Sequence, residues 1–153
     1  MAEELIKVSP MVIAEKTSAP APMPIVTPSK SVLVVEDDVF LSGLLVSRLE
    51  QAGLSVQKAM TGEEALKILR SGTIPSLILL DIILPEKSGF EVLEEIQADP
   101  NLQKAPVIIT SNLGQESDIQ KGKELGVVHY FVKAQTPIEE LVAKVKEITE
   151  GKV

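Results

Sequence analysis

Two short aliphatic runs, each ending in carboxylates, constrain this chain more than any other feature of it. Val32-Leu33-Val34-Val35 is followed at once by Glu36-Asp37-Asp38, and Leu77-Ile78-Leu79-Leu80 by Asp81. Unbroken aliphatic runs of this length, bounded by polar residues, predict strands covered on both faces, as in parallel sheets. Acids placed directly after two such strands meet at the carboxyl edge of one sheet, where open α/β sheets carry their ligands. Carboxylates crowded together repel one another unless a cation lies between them. The pattern therefore predicts a site for a small, hard cation.

Composition narrows the setting. The chain has 153 residues, enough for one domain of ordinary size, and with 44% hydrophobic but only 3% aromatic residues its core must be aliphatic. It has no cysteine, which excludes disulfides, thiolate metal sites and thiol catalysis and fits a reducing cytoplasm. A formal net charge of -7 argues against a nucleic-acid backbone or an anionic membrane as the main partner. The apolar stretches are too short to span a bilayer. Glu3 and Glu4 stand where a secretory signal would be basic. The expectation is a cytoplasmic protein with no membrane and no direct nucleic-acid partner.

Residues 1–30 differ from the rest. They hold Pro10, Pro20, Pro22, Pro24 and Pro28, half of the ten prolines, amid Ala, Ser and Thr, which predicts a flexible Pro/Ala-rich tail. Within it, Met11-Val12-Ile13 could pair as an edge strand. Residues 31–153 form the predicted domain, with strands at 32–36, 55–59, 76–80, 106–110 and 128–132. Thr61 with Glu64, Ser88 with Glu91 and Thr136 with Glu139 have the spacing of helix-starting capping boxes, and Pro137 suits a first helical position. Leu41, Leu44, Leu45, Leu49 and Ala52 make the apolar stripe of the first helix. Ile138, Leu141, Val142, Val145 and Ile148 make that of the last. Gly53, Gly72 and Gly126 sit where helices should turn out at their C-termini. A helix at 115–125 is thinly anchored, by Ile119 and Leu125, and carries Gly122 in its interior. Strands alternating with helices imply a parallel sheet covered by helices on both faces.

In such a fold, chemistry-bearing residues gather at one edge. Glu36 and Asp37 follow the first strand, Asp81 the third, Ser111 the fourth and Lys133 the fifth. Taken singly, each reads as a polar group at the end of a strand. Together, carboxylates, a hydroxyl and an amine at one edge suit phosphoryl chemistry. Mg²⁺ takes oxygen ligands and keeps waters, so a few carboxylates and a carbonyl suffice for it. Asp81 can serve as nucleophile, because aspartyl carboxylates form acyl phosphates. Lys133 and the metal would neutralise phosphoryl oxygens, and Ser111 could donate a hydrogen bond to one of them.

Val-Leu-Val-Val-Glu36-Asp37-Asp38, Leu-Ile-Leu-Leu-Asp81-Ile-Ile-Leu-Pro85 and Phe-Val-Lys133 resemble the receiver domain of two-component response regulators, from about Ser31 to Gly151. The resemblance implies a doubly wound, flavodoxin-like (βα)5 fold with a five-stranded parallel sheet in the order 2-1-3-4-5. It implies that Asp81 accepts a phosphoryl group from a sensor histidine kinase, a phosphotransfer protein or a small phosphodonor. Asp37 would bind Mg²⁺ directly, Glu36 mainly through a metal-bound water, and the Ile83 backbone carbonyl would complete the ligands with Asp81. Ser111 matches the switch hydroxyl and Tyr130 the switch aromatic. Thr110 competes for the former role, but four residues separate Pro106 from Ser111, the family's usual spacing. Lys133 matches the lysine that contacts the phosphoryl group. The implied activity is signalling, with self-phosphorylation and autodephosphorylation but no substrate turnover. Its output is a downstream protein bound on the face of helix 4, strand 5 and helix 5, with a homodimer on activation. Because the sequence stops soon after helix 5, the expectation is a stand-alone receiver. The alternatives are a piece of a larger regulator or hybrid kinase, and a receiver that no longer accepts phosphate.

Three departures from the family pattern carry expectations. Ala134 follows Lys133 where Pro is usual, so the bond is either trans with an adjusted loop or strained. Asn112 follows Ser111 where a small residue is usual and should narrow access to the site. Ile83 and Leu113 are apolar where polar side chains are common; they would help an attacking water little, which predicts a long-lived phospho-form. Ile83 also stands where aspartyl-nucleophile phosphatases carry an acid/base Asp. Glu36-Asp37-Asp38 would repel the phosphate of a flavin. His129, the sole histidine, reads as an ordinary half-exposed strand residue.

Overall fold

The two aliphatic runs become neighbouring central strands in the computed structural model, which describes residues 30–102 and 105–151. β1 (Ser31–Val35) and β3 (Leu77–Leu80) run parallel, with Val32 beside Leu77 and Val35 beside Leu80. β2 (Ser55–Ala59) flanks β1, while β4 (Val107–Ser111) flanks β3 and β5 (His129–Val132) closes the sheet. The order is β2-β1-β3-β4-β5, all parallel, as the resemblance implied. The predicted tail lies, except for Lys30, outside the described residues, and Met11-Val12-Ile13 with it.

Among the described residues, five α-helices alternate with the strands: α1 (Val39–Gln51), α2 (Gly62–Arg70), α3 (Gly89–Ala98), α4 (Glu116–Glu124) and α5 (Ile138–Thr149). The two-residue period of a strand sorts the sheet's side chains into two cores. Val32, Val34, Leu77, Leu79, Ile108 and Phe131 pack with Leu45 and Leu49 of α1 and Leu141 and Val145 of α5. Leu33, Val35, Ile78, Leu80 and Ile109 pack on the other face with Leu66 and Leu69 of α2 and Val92, Leu93 and Ile96 of α3. Of α4 only Gly122 is buried, so the helix expected to be thinly anchored is held least.

Strand limits differ from expectation by one residue at several ends, the ordinary scatter of such boundaries. Three local readings need correction. Thr136 does not cap α5: its hydroxyl donates to the Val132 carbonyl at 2.9 Å, across the short 3₁₀ turn Lys133–Gln135. Pro137 is the extended residue before α5 (ψ 147°) and not its first helical position, and Glu139 pairs with Arg48 at 3.0 Å. Leu44 is 37% exposed and drops out of the apolar stripe of α1. Ser88 and Glu91 do form a complete capping box. Thr61 caps Glu64 N–H, whereas the Glu64 carboxylate accepts from Met60 N–H. Gly53, Gly72 and Gly126 have φ of 92°, 102° and 87°, as expected past helix ends. Among the described residues no helix is long and apolar enough to cross a membrane.

Candidate functional site

The carboxyl ends of β1, β3 and β5 converge on one acidic cleft. Each arm is fixed by the backbone before its side chain does anything. Glu36 N–H donates to the Ala59 carbonyl and Asp81 N–H to the Val35 carbonyl, both at 3.0 Å, so both acids continue the sheet by one residue. Glu36 and Asp81 are thereby buried, while Asp37, one residue on, faces solvent. The cleft they line, with Asp38, Ile83, Asn112 and Lys133, measures about 430 Å³.

Lys133 enters from the end of β5 and bridges the two buried acids. Its Nζ lies 2.7 Å from Glu36 Oε1 and 2.8 Å from Asp81 Oδ2. Glu36 Oε2 accepts from Asp38 N–H at 3.2 Å, and Asp81 Oδ1 accepts from Ile83 N–H at 3.2 Å. Burial pushes the Glu36 carboxyl above its ordinary value; the Lys133 hydrogen bond opposes that shift, and the Asp81 charge adds to it. Burial pulls the Lys133 ammonium down, but hydrogen bonds to Asp81 and Glu36 outweigh it and hold the group above the usual lysine value.

The loop after β3 is folded tightly over Asp81. Gly89 N–H donates to the Ile82 carbonyl at 2.8 Å. A Cβ on Gly89 would collide with the Asp81 carbonyl and stand 2.8 Å from Ile82 Cα, so only glycine lets α3 begin there. The only described non-glycine residue with positive φ, Glu86 at 70°, lies in the same loop.

On the other side of the cleft, Ser111 is fully buried at the end of β4, and its Oγ accepts from Leu113 N–H at 3.2 Å. Thr110 points to the opposite face, beside Leu45, Phe131 and Leu141. Tyr130 is half-buried and donates its hydroxyl to the Leu113 carbonyl at 2.5 Å; burial pushes its phenol up. Ser111 and Tyr130 thus meet on one short loop, without a direct link from Ser111 Oγ to Asp81. His129 is exposed, with its ring 4.4 Å from that of Phe131.

The acid cluster suits a hard cation. Glu36, Asp37 and Asp81 each offer a carboxylate oxygen, all within 4.8 Å of one another. An all-oxygen donor set open to solvent on one side matches the preference of Mg²⁺, which retains waters.

Sequence reasoning missed three things here. Asp38 is an N-cap and not a member of the metal cluster: its Oδ1 accepts from Leu41 N–H at 3.0 Å. An Asp one residue before an apolar helical stripe was the available signal. Asn112 Oδ1 accepts from Ala134 N–H at 3.1 Å, a contact between two loops that no local pattern announces. The described peptide bonds are all trans, which answers the question about Lys133-Ala134 in favour of an adjusted loop. Val39 and Phe40, 70% and 84% exposed, open α1 with apolar side chains facing water.

Comparison with known proteins now places this arrangement. The response regulator receiver domain matches residues 32–146. The chain is 34% identical over 119 residues to a probable transcriptional regulator ycf27 of Cyanophora paradoxa, covering 78% of this chain and 48% of that protein. It is 37% identical over 116 residues to the phosphate regulon transcriptional regulatory protein PhoB of Rhizobium meliloti, covering 75% and 50%. Among solved structures, the phosphorylated cyanobacterial phytochrome response regulator RcpA superposes with a TM-score of 0.69 at 35% identity, covering 80% of this chain and 92% of that one. The chain belongs to the response regulator receiver family of two-component signalling systems. It spans about half the length of the curated relatives it matches.

These relatives correct the expectation about nucleic acid. A protein 33% identical over 117 residues, from Synechocystis sp., is the DNA-binding dual master transcriptional regulator RpaA. The expectation of no direct nucleic-acid partner rests on the net charge of -7. That charge describes a stretch matching only 48% of RpaA, so it carries no weight about the part of such a regulator that touches DNA.

Proposed function

We propose that this chain is a phosphorylation-controlled switch in which Asp81 accepts a phosphoryl group from a phosphohistidine on a kinase or phosphotransfer protein, or from a small phosphodonor. The observation that carries this reading is the Lys133 ammonium seated between Glu36 and Asp81, at 2.7 and 2.8 Å, on the floor of an open acidic cleft. A carboxylate so placed is held still, backed by a cation and reachable from outside.

Glu36, Asp37, Asp81 and the Ile83 carbonyl would hold Mg²⁺. Bound there, the ion supplies positive charge to phosphoryl oxygens that would otherwise be repelled by three acids. An Asp81 oxygen forms the new O–P bond as the donor's N–P bond breaks, and the departing imidazole takes a proton from water. Lys133 then donates to a phosphoryl oxygen. Ser111 Oγ accepts from Leu113 N–H, and the Ser111 side chain also hydrogen-bonds the Tyr130 phenol. Its turning toward the phosphoryl group would release Leu113 N–H, on the residue whose carbonyl holds Tyr130. That link gives Asp81 a route to the α4-β5-α5 face. Ile83 in the cleft lining is exposed, as are Val39 and Phe40 at the start of α1, and these apolar side chains are open to contact with a phosphodonor protein. Apolar Ile83 in the cleft lining gives an attacking water little help, so the phospho-form should decay over minutes or longer.

The test is incubation with Mg²⁺ and acetyl phosphate, followed by intact-protein mass measurement. Wild type should gain one phosphate and Asp81→Asn none. An equal gain in both proteins, or none in either, removes the proposal.

A further inference from the structure

We propose that Asn112 is a positioning residue for Lys133, acting through the backbone of Ala134. Lys133 and Ala134 begin the short 3₁₀ turn Lys133–Gln135, so the course of this turn decides where the Lys133 side chain starts. The turn is spanned by the Thr136 hydroxyl on the Val132 carbonyl at 2.9 Å, a bond between the residues on either side of it. From outside, one recorded bond reaches the backbone of the turn: Ala134 N–H donates to Asn112 Oδ1 at 3.1 Å. A backbone N–H can only donate, so the Asn112 amide must present its oxygen to Ala134.

The residue types fit the role. A proline after Lys133 would have no N–H to give. Alanine restores that donor, and Asn112 is placed to accept from it. Asn112 stands one residue after Ser111 and lines the cleft with Lys133. It therefore ties the carboxyl end of β4 to that of β5, the two strands that carry the hydroxyl and the amine. With the tie made, Lys133 Nζ reaches both Glu36 and Asp81. Without it the turn is free to drift, and one of those two contacts lengthens.

The consequence for phosphoryl uptake rests on the function proposed above; the tie itself does not, and the two are separable. The first measurement is hydrogen exchange at the Ala134 amide in wild type, Asn112→Ala and Asn112→Asp. Asn112→Ala should lose roughly two- to tenfold of its protection, the span of one neutral hydrogen bond. Asn112→Asp, which keeps an acceptor oxygen, should retain protection. Unchanged exchange in Asn112→Ala would overturn the proposal, whatever the protein does with phosphate. The second measurement is a double-mutant cycle on the rate of uptake from acetyl phosphate. Asn112→Ala should slow uptake in the wild-type background and have no further effect in Ala134→Pro, where the donor is already gone. An equal slowing in both backgrounds would show that Asn112 acts on the cleft directly and would overturn the positioning role. If wild type takes up no phosphate, the function proposed above fails, and the exchange measurement alone decides on the tie.

Discussion

The two sides of the cleft are built differently. On the β1–β3 side, every residue of Val32–Glu36 and Leu77–Ile82 is buried, and the two acids extend a ladder of sheet hydrogen bonds. On the β4–β5 side, Ser111 and Lys133 also end strands, but the helix between those strands buries only Gly122. What else holds α4 is light: Lys121 Nζ over the Phe90 ring at 4.7 Å, the Gln97 amide on the Leu125 carbonyl, and half-buried Ile119 and Leu125. The difference teaches where rigidity is needed. Under the function proposed above, acids that would bind a cation and a phosphoryl group must not move, because misplacement defeats preorganised electrostatics. A surface that would report phosphorylation must move, so its cost of moving has to be small.

Stability measurements break or confirm that contrast most strongly. Leu80→Ala, next to Asp81 and fully buried, should cost about 2–5 kcal/mol in denaturant unfolding. Ile119→Ala on α4 should cost less than about 1 kcal/mol. Comparable losses would mean that α4 is as firmly held as the sheet.

Lys133→Met probes the rigid side next. It leaves Glu36 and Asp81 facing each other without a cation, and should cost roughly 1–3 kcal/mol at neutral pH, below the 3–5 typical of a fully buried pair because the cleft is open. The sign of the pH dependence follows from the two shifts. Glu36 binds its proton more tightly in the folded protein than its ordinary 4.5, so metal-free stability falls as pH rises from 4.5 to the raised value and stays reduced above it. Lys133 is raised above 10.5, so its contribution is fully present below 10.5 and is lost as pH climbs through the folded value. Mg²⁺ at a hundred times its dissociation constant should restore about 2.7 kcal/mol at neutral pH and nothing once the carboxylates are protonated. Thermal unfolding with and without EDTA across pH reads both effects.

The smallest effect sharpens the lightly held side. A Cβ on Gly122 would stand 3.1 Å from both Ile109 Cδ1 and Tyr130 Cδ2. Gly122→Ala gains about 1 kcal/mol of helix propensity and gives up a similar amount in crowding, so stability should barely change. Tyr130 should nevertheless move, visible in its ring chemical shifts. Unmoved Tyr130 signals would show that α4 yields instead.

The sequence made the fold legible because the strands of this sheet are aliphatic runs and its helices carry stripes, two periods that do not mimic each other. Glu36, Asp37, Asp81, Ser111 and Lys133 were legible for the same reason: each lies at the end of a strand, and strand ends share an edge. What stayed hidden depends on side-chain direction at loops. Thr136 has the spacing of a cap but turns back to Val132, and Asn112 reaches Ala134 across 22 positions of sequence. Asp38 follows two acids of the cluster in sequence, but its role as the cap of α1 was not read from that pattern. Local pattern cannot choose between a backbone partner and a distant one when both lie within reach.

The most direct test of the account is to locate the phosphoryl group. Wild type loaded with acetyl phosphate and Mg²⁺ is reduced with borohydride, which converts an aspartyl phosphate to homoserine, and its peptides are mapped. The account predicts the modification at Asp81 alone and its disappearance when EDTA is present during loading. Modification at Asp37, Asp38 or Glu36, or loading that ignores EDTA, would contradict it.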